Sequence, residues 1–105
     1  MAPTIRRVTY MTPLGEMAAY LQLANQKIAE GDLLGENWVA SSHLADLGIQ
    51  AVFLADGGPI PVVSDVGTAQ ECVKRAWDAV GSWVPTSVED QAFLTRLHDL
   101  AHPLP

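Results

Sequence analysis

From residue 13 onward, apolar residues return every three or four positions: Leu14, Met17, Ala18, Leu21, Ala24 and Ile28. That spacing collects them on one stripe of a helix. Thr12-Pro13 ahead of the stripe offers a capping side chain, then a residue whose missing N–H costs nothing at the first helical position. Glu16 falls in the first turn, where the helix dipole favours an anion, and Gly31 after Glu30 is a natural stop. A second stripe runs through Ala69, Cys72, Val73, Ala76, Trp77, Val80 and Trp83, with Gln70, Lys74, Arg75 and Asp78 turned away from it. Thr68-Ala-Gln-Glu71 opens it as a capping box, and Pro85 closes the segment. A last helix is predicted from Thr86-x-x-Glu89 or Ser87-x-x-Asp90 to about Ala101, with Pro103 beyond it.

The stretches between these helices read differently. Gly31 and Gly35 interrupt the pattern, and a helix is predicted over about 36–47, ended by Gly48 with Ile49 as the hydrophobic residue after the stop. A short strand around Trp38 to Ala40 competes with that reading. AVFLA and IPVV flank Asp-Gly-Gly-Pro, and Asp-Gly supplies the positive φ of a tight reversal. The prediction is a hairpin over about 50–64, with Pro59 and Pro61 keeping its second arm at a sheet edge. IRRVTYM at 5–11 alternates Val8 and Tyr10 with Arg7 and Thr9, as a strand does, and residues 1–4 read as a tail. The expected fold class is therefore α+β, in one domain spanning 1–105: a small antiparallel or mixed sheet (the central hairpin and a possible N-terminal strand at 5–11) covered by about four helices. A two-stranded sheet is marginal alone. A third strand comes from 5–11 or from a second copy of the chain, and the second case is the sequence argument for a homodimer.

Composition narrows the function classes. Apolar residues make up 49% of the 105, enough for a core, and the net charge is −6. Basic residues adjoin only at Arg6–Arg7 and Lys74–Arg75, so no basic stripe exists to displace phosphate counterions or to meet an anionic membrane surface. The expectation is no nucleic-acid and no membrane partner. One cysteine, Cys72, permits no disulfide within the chain and suits a reducing compartment. The N-terminal residues lack the apolar core of a secretory signal, and no apolar run reaches the ~18 residues of a bilayer span. The expected location is cytoplasmic.

Candidate chemistry is sparse. His98-Asp-Leu-Ala-His102 has the His-x-x-x-His spacing of a zinc-binding helix, with aspartate where zincins carry a glutamate base. A catalytic zinc needs a third protein ligand, which only a distant residue such as His43 or Cys72 could supply. The helical wheel puts His98 at the border of the buried stripe and His102 on the polar side with Gln91 and Thr95, where histidines near a helix C-terminus ordinarily complement the dipole. Cys72 occupies a core-stripe position in an early helical turn, and a nucleophilic role needs a base such as His43. Asp56 and Asp65 flank the second hairpin arm and suit turn chemistry as well as acid–base work. LADGGPIP lacks a phosphate-binding glycine pattern. The segment around Leu44–Gly48 resembles a helix-turn-helix only faintly, and the following QAVFLADGG holds no basic residue to read bases. Trp38, in a glycine-flanked segment, is a candidate partner or ligand anchor.

The resulting expectation is a small, acidic, non-catalytic protein. It acts by binding a protein partner in an accessory, regulatory or inhibitory role, or by self-association, and it uses no cofactor. The alternative is a small enzyme or small-molecule-binding domain with a pocket between hairpin and helices, where His43, Asp56 or Cys72 converge.

Overall fold

The computed structural model of the chain describes residues 12–31, 40–55 and 60–102. Four helices carry the fold: α1 (Pro13–Ala29), α2 (Ala40–Leu54), α3 (Ala69–Ala79) and α4 (Val88–Ala101). Among the described residues there is no strand, so the α+β expectation is corrected to an all-helical fold.

Three of the helices begin where the capping chemistry places them. The Oγ1 of Thr12 accepts from the Gly15 N–H at 3.0 Å, that of Thr68 from the Glu71 N–H at 3.1 Å, and the Oγ of Ser87 from the Asp90 N–H at 3.0 Å. Each bond satisfies one of the donors that a helix start leaves open. α1 ends at Gly31, whose φ of +110° suits glycine. α3 ends earlier than its apolar stripe suggests: Val80 caps it, and Trp83 lies beyond the helix while still packing on the core.

α1 packs on both α2 and α3, and α4 closes against the other side of those two. One core unites them. It draws Met17, Leu21 and Ala24 from α1, Leu44, Leu47 and Ala51 from α2, Cys72, Val73 and Ala76 from α3, and Phe93, Leu94 and Leu97 from α4. Polar side chains tie the helices at their margins. Gln70 on α3 donates to the Leu100 carbonyl near the open C-terminal end of α4, at 3.0 Å. Arg96 on α4 donates to Gln50 on α2 at 2.9 Å.

The predicted hairpin over 50–64 does not form. Residues 50–54 are the last turn of α2, and the Ala55 N–H continues its ladder to the Ala51 carbonyl at 2.9 Å. AVFLA is a short continuous apolar run, and such a run does not distinguish a buried strand from a buried helix segment. The wider register decides: Leu44, Leu47 and Ala51 repeat at helical spacing straight across Gly48, and all three are fully buried. Asp56 and the turn at 56–59 lie outside the described residues, as does the strand predicted at 5–11. With no sheet among the described residues, no sheet edge is left there to seat a second copy of the chain.

Gly48 is not a helix stop but a contact point. A Cβ built there would come within 2.5 Å of the Asn25 Nδ2 on α1, which itself donates to the Leu44 carbonyl at 3.2 Å. Glycine therefore makes room for an asparagine that bridges α1 to α2. Gly48→Ala brings the better helix propensity of alanine, about 1 kcal/mol, against loss of the Asn25 bond, also about 1 kcal/mol. The expected change in urea unfolding is near zero in the native background. In an Asn25→Ala background the same substitution stabilises by about 1 kcal/mol, because the clash is gone.

Residues 60–66 run as an irregular strap along α1. Ile60, Val63 and Val66 pack on the core, and Pro61 lies against Gly15 near the start of the helix. Further along, Asp65 accepts from the Lys27 ammonium at 2.8 Å and from the Gly67 N–H at 2.7 Å. The hydrogen bond from Lys27, then that from Gly67, lowers the Asp65 pKa, and the same bond to Asp65 raises that of Lys27. A depressed carboxyl adds stability above its ordinary value of 3.8, lost as pH falls through the folded value. A raised amine adds stability below 10.5, lost as pH rises through the folded value. The urea-midpoint difference between native protein and Asp65→Asn is thus expected to stay constant from about pH 5 to about pH 9 and to shrink outside those limits.

Candidate functional site

α2 is apolar on two opposite faces. At 100° per residue, Leu44, Leu47 and Ala51 point to one side, and Ile49, Val52 and Phe53 to the other. The first set is fully buried, whereas Ile49 is 59% and Phe53 79% exposed. A helix with apolar residues all round is ordinarily covered all round. Among the described residues, α1 and the core cover only the inner face.

Two hollows flank the outer face. Between α2 and α4 lies a groove of about 790 Å³, with Phe53, Leu54, Ala92 and Phe93 as its apolar lining. Between α1 and α2 lies a hollow of about 520 Å³, lined by Ile28, Ala29, Ala45, Gly48, Ile49 and Val52. The larger groove has a polar gradient along α4. Glu89 and Asp90, in the first turn, border one end. Arg96 stands about 9 Å further along the helix axis, from six residues at 1.5 Å each. One guanidinium N–H of Arg96 is satisfied by Gln50, but its Nε is buried with no acceptor among the described residues. A buried donor without a partner is costly.

The residues singled out by sequence are scattered. His43 is exposed on α2, while Cys72 is fully enclosed on α3, and these two helices do not pack on each other. Asp56 and Trp38 lie outside the described residues. Asp65 is engaged by Lys27 and Gly67 as a structural link. His98 and His102 do come together at the exposed end of α4, against Trp77 of α3. No three His, Cys, Asp or Glu side chains converge as metal ligands among the described residues. No helix among them is long and apolar enough to cross a membrane. With the hairpin absent, the predicted pocket between hairpin and helices is replaced by the α2–α4 groove.

The outer face of α2 was missed by sequence reasoning, although its signal is visible. LGIQAVFL contains a single polar residue, so as a helix it must leave apolar side chains on both sides. No protein-family model matches the chain, and no curated protein or solved structure matches it significantly.

Proposed function

We propose that the protein is a non-catalytic binding protein whose partner lays an amphipathic helix across the outer face of α2 and into the α2–α4 groove. The observation that carries this reading is the second apolar face of α2, left open by the described residues beside a groove with an apolar lining. Helix-in-groove recognition uses such features, with anchors spaced at i, i+3, i+4 and i+7. Charge selects the partner. The chain carries a net −6, and Glu89 and Asp90 border the groove, so the complementary helix is basic at that end. A second copy of the chain would bring like net charge to the contact, which favours a different protein over self-association. The chain's one cysteine, Cys72, is buried on α3 and suits a reducing compartment such as the cytoplasm.

A second reading has one specific observation behind it. The Arg96 guanidinium at the border of an apolar lining also suits a small amphiphile bearing a carboxylate, and about 790 Å³ is within the range of small-ligand sites. Ile49 and Val52, which face away from that groove toward the α1–α2 hollow, have no role in such a site and favour the larger partner.

Selection from a displayed library of helical peptides tests the proposal. The native protein is expected to enrich basic sequences with apolar residues at helical spacing, and Phe53→Asp to lose them while remaining folded. Enrichment indifferent to Phe53→Asp would overturn the reading. So would a dimer in light scattering that Phe53→Asp dissolves, because the face would then be occupied by the chain itself.

A further inference from the structure

His98 and His102 are one helical turn apart at the end of α4, with ring centres 4.5 Å apart and planes inclined by 32°. The Nδ1 of His98 is 3.3 Å from the Asp99 carboxylate, and that of His102 is 3.0 Å from the His98 carbonyl. Carboxylate and carbonyl oxygens only accept, so in both rings Nδ1 is the donor. Each neutral imidazole is thereby held with its lone pair on Nε2. That outer hydrogen bond is what ordinarily orients a metal-ligating histidine. The location adds to it: His102 caps the C-terminal end of α4, where the helix dipole favours a cation.

The ring separation is compatible with a shared ion. A metal–nitrogen bond of about 2.0–2.1 Å puts the ion about 3.2 Å from each ring centre, and two such bonds at about 90° separate the centres by about 4.5 Å. The observed separation is 4.5 Å. We propose that His98 and His102 bind one divalent transition-metal ion through their Nε2 atoms, with water completing its coordination. Imidazole ligands and the usual order of affinities rank Cu²⁺ above Ni²⁺ and Zn²⁺. The site is independent of the α2–α4 groove and of any partner bound there.

Trp77 supplies the readout. Its ring centre is 5.1 Å from that of His98 and 5.9 Å from that of His102, both edge-on, so a bound paramagnetic ion lies close enough to quench it. Titrating untagged protein with CuCl₂ while following tryptophan emission is expected to give saturable, one-to-one quenching. His98→Gln and His102→Gln should each raise the half-quenching concentration by at least about tenfold, and Asp99→Ala, which frees the outer bond of His98, by roughly tenfold. His43→Gln should leave it unchanged. Trp77→Phe should remove the larger part of the tryptophan response, because Trp77 is the tryptophan in contact with both rings, while equilibrium dialysis still finds one bound copper per chain. His98, Asp99 and His102 are exposed, so their variants should retain native helicity by circular dichroism. Linear, unsaturable quenching overturns the proposal, as does quenching that survives both histidine variants or is lost in His43→Gln.

Discussion

Truncating Phe93 to alanine is expected to lower the stability of the free protein by about 3–5 kcal/mol. Phe93 is 1% exposed and heads the fully buried side chains by volume. It sits on α4 with Leu94 and Leu97, in the core shared by all four helices. Its removal forfeits the transfer free energy of a whole ring and leaves a cavity that the surrounding helices close only in part. Stabilities of ordinary domains lie at about 5–15 kcal/mol, so the loss is a large share of the whole. The thermal midpoint should fall by more than about 10 °C. Phe53→Ala is the matched control. The same residue type, 79% exposed on the neighbouring helix, should change stability by no more than about 0.5 kcal/mol. A small effect at Phe93, or a large one at Phe53, would show that the two rings have been assigned to the wrong sides of their helices.

Leu47→Asp should be more severe, abolishing cooperative unfolding altogether. Leu47 is fully buried, and among the described residues the core it belongs to contains no buried polar side chain to pair with a carboxylate. Burying that group, or refolding around it, costs more than about 4 kcal/mol beyond the lost packing. Phe53→Asp places the same charge six residues later, where water receives it. The contrast also separates the two structures this segment could adopt. In a strand, positions 47 and 53 share a face and the two substitutions would act alike. In a helix they lie 120° apart, one inside and one outside. Circular dichroism and urea titration of the pair read the difference directly: a native curve for Phe53→Asp and no folded baseline for Leu47→Asp.

Local chemistry made much of α1, α3 and α4 legible. Thr12, Thr68 and Ser87 cap the helices their spacing announces, and Gly31 closes α1 with the positive φ that favours glycine. Cys72 is in the core, as its stripe position implies. α2 was legible only in part, for a physical reason. The meaning of Gly48 depends on Asn25, 23 positions away, and no pattern local to α2 tells a close helix contact from a helix end. Once Gly48 is taken as a stop, the apolar residues after it look like a strand, and the outer face of α2 disappears from view. The histidine pair shows the same division. His98, Asp99 and His102 are evident as a motif, but that both Nδ1 atoms are spoken for, and that Trp77 lies across both rings, depends on how α3 meets α4.

α2 is one continuous helix with an enclosed inner face and an outer face left open by the described residues. Methyl-labelled protein in the presence of a soluble paramagnetic agent measures this side chain by side chain. The methyl signals of Ile49 and Val52 should fade at agent concentrations that leave those of Leu44 and Leu47 intact. Equal protection of all four would mean that the outer face is already covered within the chain, and equal fading would mean that the inner face is not packed; either result contradicts the structure on which the binding proposal stands.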